Sequence, residues 1–130
     1  MFAVSLEEFE AFVEDGVQAI PQGFRTRIKN VAFLIEDEPT LTQRRENGVA
    51  PHQTLFGLYE GIPRTARGEG YGGMVLPDRI TIFKKPVEEA AQSRAEVRDI
   101  VIDTVWHEVA HHFGLDEDAV ERRERERGGE

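Results

Sequence analysis

The sequence predicts a domain of mixed α and β structure, with helices on either side of a run of short strands. Three observations predict it. An amphipathic helical pattern opens the chain, three short apolar segments of strand type occupy its middle, and the longest helical signal lies near its end. A chain of 130 residues with 39% hydrophobic and 32% charged content is expected to form one globular domain, residues 1–130, with a modest core.

The first helix is announced by Ser5-Leu6-Glu7-Glu8, which has the form of a capping box. Leu6, Phe9, Val13, Val17 and Ile20 then recur at helical spacing, joined by Phe12, so the helix is expected to run to about Ile20. Pro21 and Gly23 interrupt it, and Phe24 to Lys29 leave room for a short helical turn. Val31 to Ile35 is a compact apolar run that reads as a buried strand. Thr40 to Pro51 is polar, contains Asn47-Gly48, and reads as a loop. Thr54 to Glu60 reads as a second strand, with Gly57 marking a bulge. The glycine-rich stretch Ile62 to Leu76 is long enough for a functional loop. Asp78 to Lys84 is a third strand whose alternation is only partial, and Pro86 ends it.

From about Ala95 to Phe113 the pattern is helical and apolar most of the way round, as in a helix packed on several sides. Gly114 is placed to cap it. Glu117 to Arg127 forms a charge-dense helix, read as a solvated face.

Composition narrows the chemistry. With no cysteine, a disulfide framework, a thiolate metal site and a cysteine nucleophile are all excluded, so any metal must be held by histidine and carboxylate. A net charge of −9 argues against nucleic acid and anionic membranes as partners. The N-terminus lacks a basic region and an apolar run of the signal-peptide type, so a cytoplasmic protein is expected.

The chemistry is concentrated in His107-Glu108-Val-Ala-His111, on the last part of the long helix. Residues four apart on a helix differ by about 40° and roughly 6 Å, so His107 and His111 can face one ion. Glu108, turned about 100° from His107, flanks that ion and can reach a water beside it. Two neutral imidazoles to anchor Zn2+ and a carboxylate to accept a proton from the attacking water are what metal-assisted hydrolysis needs. A turn at Gly114 would bring Glu117 back as third ligand, with Asp118 and Asp116 as fallbacks. The competing reading is a pair of satisfied core histidines. His112 points off the metal and reads as a surface or supporting residue, and the isolated His52 carries little weight.

These residues resemble a known family. HExxHxxGxx followed by an acid is the zincin signature in the form found in the small bacterial possible zinc metallopeptidases, also called minimal zincin-like proteins. Leu55 to Gly61, Leu76 to Phe83 and Thr104 to Gly114 look like that family's blocks. The resemblance implies a zincin-like α+β fold: a small mixed three- to four-stranded sheet packed on the active-site helix, with an N-terminal helix and a short C-terminal helix. It implies His107, His111 and Glu117 as zinc ligands and Glu108 as general base. It also implies an edge strand at Leu55 to Gly61 that pairs with an extended peptide substrate. Metzincins have histidine where Glu117 stands and a methionine turn after the motif, whereas this chain's Met1 and Met74 both precede it.

The expected function is a zinc-dependent hydrolase, in the first instance a metallopeptidase acting on peptide or protein. The alternative is a non-catalytic zinc-binding or partner-binding protein on a degenerate zincin scaffold. Tyr71, Arg67 and Arg64 in the glycine-rich loop are candidates to stabilise an oxyanion, against a plainer reading as surface residues.

Overall fold

The computed structural model describes residues 1–26, 28, 31–49, 54–61 and 77–113. Along the chain come α1 (Leu6–Ala19), α2 (Gln22–Arg25), β1 (Val31–Glu36), α3 (Leu41–Glu46), β2 (Gly57–Glu60), β3 (Asp78–Phe83), α4 (Lys84–Ala90) and α5 (Arg94–His112). The strands form one mixed sheet in the order β1-β3-β2, with β1 parallel and β2 antiparallel to β3. This is the small mixed sheet of the expected α+β fold. The glycine-rich stretch and the expected C-terminal helix lie outside the described residues.

Helix α1 starts where its cap dictates. The Ser5 hydroxyl accepts from the Glu8 amide at 3.1 Å. The other half of the box is spent elsewhere, because the Glu8 carboxylate accepts from Arg94 Nε at 2.6 Å and ties α1 to α5. That guanidinium holds the exposed Glu8 carboxyl below its ordinary value. Phe9 and Val13 are buried from α1, and α1 and α5 lie against each other.

Helix α5 is the centre of the core. Val97, Val101, Val105, Trp106, Val109 and Ala110 are buried along it, and it packs against α1, α4, β2 and β3. Contacts on so many sides explain why its apolar residues do not gather on a single stripe. The N-terminal segment is strapped over α4: the Val4 amide donates to Glu88 Oε2 at 2.7 Å, and Lys84 Nζ meets the same oxygen at 2.9 Å. The buried Glu88 is therefore satisfied by a backbone donor and a cation.

Four expectations need correction. Among the described residues β1 is an edge strand, not a buried one; its residues are half-buried or exposed, and Leu34 keeps 40% of its surface. The central position belongs to β3, buried at every residue but Arg79, which is why its alternation looked partial. The polar stretch after Pro39 is not simply a loop. Thr40 and Gln43 form a complete capping box that starts α3, and Gly48, at φ 66°, follows its end. Pro86 does not merely stop β3, since it sits in the first turn of α4, where proline's missing amide costs nothing.

Gly57 is the fourth. The register of β2 on β3 is continuous, pairing Gly57 with Ile82 through to Glu60 with Arg79, so it marks no bulge. It is a point of close approach. A Cβ there would lie 2.5 Å from Thr104 Cγ2, 3.2 Å from the Thr81 carbonyl and 3.3 Å from Glu108 Cγ. Glycine thus lets β2 run against α5. Gly57→Ala is expected to cost about 1–3 kcal/mol of unfolding free energy by overpacking. Adding Thr104→Ser, which removes the nearest methyl, should restore part of the loss in denaturant titrations.

Candidate active site

His107, Glu108 and His111 occupy the last turns of α5. Five hydrophobic positions earlier in the helix, Val97, Ile100, Val101, Val105 and Trp106, are locked into the core or packed on it, so these three ride on a rigid element rather than a loop. His107 is half-buried, while the His111 side chain keeps 57% of its surface. Between them in sequence, the Glu108 side chain keeps only 12%, and its Oε1 lies 3.5 Å from His111 Nδ1.

Strand β2 covers Glu108. The Phe83 amide donates to the Phe56 carbonyl at 2.8 Å, which sets the phase of the antiparallel ladder. Phe56, Leu58 and Glu60 therefore direct their backbone groups at β3, and Gly57 and Tyr59 direct theirs at the other edge, which is open among the described residues. The Tyr59 amide hydrogen-bonds to Glu108 from that edge. Burial pushes the Glu108 carboxyl above its ordinary value of 4.5, opposed in part by His111, the Tyr59 amide and His107. A carboxyl drawn toward neutrality and held by one directed donor is suited to exchanging a proton.

A second group of residues fixes the end of α5. Tyr59 donates its hydroxyl to Asp78 Oδ2 at 2.8 Å, and His112 Nδ1 lies 3.2 Å from the same oxygen. Asp78 is 5% exposed at the start of β3. The His112 ring meets Tyr59 edge-on at 5.7 Å and Phe113 at 5.0 Å. Phe24 of α2 packs on both Trp106 and Phe113. His112 is thus the supporting residue rather than the surface one. The sequence reading missed Tyr59, Asp78 and Gly57 as members of the site. Their signal was present, since they stand in the two strand blocks that flank the glycine-rich stretch, but their partners lie far along the chain.

Among the described residues, no three histidine, aspartate or glutamate side chains gather as a set able to hold an ion. The expected third ligand Glu117, its fallbacks Asp116 and Asp118, the cap Gly114, and Tyr71, Arg67 and Arg64 all lie outside them. What is described fits zinc chemically: two imidazole-bearing residues one turn apart, a desolvated carboxylate beside them and no thiolate.

Residues 28–127 match the family model described as Zincin-like metallopeptidase, which covers well over half of the chain. The chain belongs to that family. No curated protein matches it. The three-stranded mixed sheet with α5 packed on β2 and β3 is consistent with a zincin-like fold. Among the described residues of this zincin-like chain, no helix is long and apolar enough to cross a membrane.

The buried carboxylate has a consequence for stability. A carboxyl raised in the folded state carries no penalty below the unfolded value of 4.5, where both states are protonated. The penalty grows as pH rises past 4.5 and is complete above the raised folded value. Glu108→Gln keeps an acceptor for the Tyr59 amide and removes the charge. In chelator-treated protein it should therefore raise the thermal midpoint at pH 7.5, with the gain vanishing near pH 4. Calorimetry across that range checks the sign; a lower midpoint at pH 7.5 would contradict it.

Proposed function

We propose that this zincin-like chain is a zinc-dependent peptidase in which His107 and His111 hold the metal and Glu108 is the general base. The observation that carries the reading is the position of Glu108, desolvated on α5 between the two histidines and hydrogen-bonded from the open edge of β2. Glu117 is assigned as the third ligand, with Asp116 and Asp118 as alternatives; family membership supports the zinc assignment.

Zinc, when bound, supplies Lewis acidity toward a water and a peptide carbonyl. The chain's own residues do the rest. Glu108 takes a proton from the attacking water at its carboxylate and returns it to the departing amine nitrogen. The environment that raises its pKa brings it nearer the working pH for both transfers. The edge-facing backbone groups of Gly57 and the Tyr59 carbonyl are placed to pair with an extended peptide, while the Tyr59 amide stays on Glu108, and this pairing sets substrate direction across the helix. Asp78, through Tyr59 and His112, holds β2 and the end of α5 in one arrangement.

Two measurements test this. Elemental analysis of purified protein should find about one zinc per chain, lost in His111→Ala. Glu108→Gln should retain the zinc and lower the hydrolysis of a peptide library by a factor of about 10² to 10⁴. Zinc retained with undiminished hydrolysis would remove Glu108 from the mechanism. Zinc retained with no hydrolysis by the wild type under any condition would favour the non-catalytic zinc-binding alternative.

A further inference from the structure

The sheet has a second edge, remote from the candidate site, and its surroundings are chemically distinctive. Among the described residues β1 is the strand at that edge, and α5 packs against β2 and β3. A groove of about 450 Å³ runs between β1 and α1. Its β1 wall is Phe33, Leu34 and Ile35. Consecutive residues point to opposite faces of a strand, so a groove touching all three follows the strand's edge and not one face. The α1 wall is one helix face, with Leu6, Val13 and Val17 interleaved with Glu10 and Glu14.

Two features set this groove apart from ordinary surface. Leu6 and Leu34, two of the few large hydrophobic residues left exposed, both line it, at 53% and 40%. Natural edge strands are usually guarded by lysine, proline or a bulge. β1, with the sequence Val-Ala-Phe-Leu-Ile-Glu, has no lysine or proline, and its register against β3 is unbroken. The charges lining the groove are both carboxylates, one helical turn apart and exposed, and Glu36 continues the sign at the end of the strand.

We propose that this groove binds an extended basic segment of a partner protein, which adds to β1 as a fourth strand. The open backbone groups of β1 supply main-chain hydrogen bonds, Leu6 and Leu34 receive apolar side chains, and Glu10 and Glu14 pair with lysine or arginine at alternate positions. Six residues of β1 span roughly 20 Å, enough to register a segment of similar length. The groove lies on the opposite edge of the sheet from β2, so this inference stands apart from the assignment of the metal site.

Fluorescence polarisation tests it with a labelled seven-residue peptide of alternating lysine and valine, in chelator so that no hydrolysis intervenes. Saturable binding by the wild type is expected, weakened at least tenfold in the double variant Glu10→Lys, Glu14→Lys and in Leu34→Glu, both checked for folding by circular dichroism. The same peptide N-methylated at alternate amides should also bind at least tenfold more weakly, and its counterpart with glutamate for lysine should not bind. No saturable binding by the wild type, or binding unchanged in both variants, would overturn the proposal. Equal binding of the N-methylated peptide would reduce the groove to a charge contact and overturn strand addition. A wild-type dimer in sedimentation that Leu34→Glu dissociates would make a second copy of the chain the occupant instead.

Discussion

The contact between β2 and α5 at Gly57 is the constraint on which the candidate site depends. With no side chain at Gly57, the strand comes within van der Waals reach of Thr104 and Glu108. That approach removes Glu108 from water and brings the Tyr59 amide onto its carboxylate. Burial, the largest influence on Glu108, and the Tyr59 hydrogen bond thus both depend on one missing Cβ, while His111 and His107 act on it from α5 itself. Any larger residue would have to displace a strand whose other edge is fixed in the ladder with β3.

The rest of the structure holds that contact in place. The buried valines of α5, with Trp106, anchor the helix in the core, so its last turns need not stabilise themselves. At the helix end the anchoring changes from apolar to mixed. Phe24 closes over Trp106 and Phe113, and Asp78 gathers Tyr59 and His112. Asp78 opens β3, Tyr59 lies on β2 and His112 ends α5, so one carboxylate ties three elements together. The histidines assigned to the metal lie among these fixed points, and His111 stays open to solvent. Holding Glu108 out of water costs stability, and the apolar helix beneath it offsets that cost.

Local signals were legible in the sequence and long-range ones were not. The α1 cap at Ser5, the strand character of β1, β2 and β3, and the long helix α5 depend on neighbours a few residues away, and all are found where expected. The HExxH spacing is local too, which is why the helix carrying it could be placed. The complete capping box at Thr40 and Gln43 was equally local, yet the polar character of its surroundings hid α3. Pro86 is compatible with both a strand stop and a first helical turn, and only the backbone decides between them. The meaning of Gly57 depends on Thr104 and Glu108, and that of Asp78 on Tyr59 and His112. No spacing rule reaches across such separations. The edge position of β1 is likewise a fact of topology, since an apolar run fits an edge or a centre equally well.

The central claim is that His107 and His111 meet on one zinc ion beside Glu108. The most direct test is X-ray absorption at the zinc edge of protein loaded with one equivalent of the metal. The account predicts a first shell of nitrogen and oxygen at about 2.0–2.2 Å, with the multiple-scattering signature of two imidazoles, falling to one in His107→Ala. A shell without imidazole, or a folded protein that takes up no zinc at all, would contradict it.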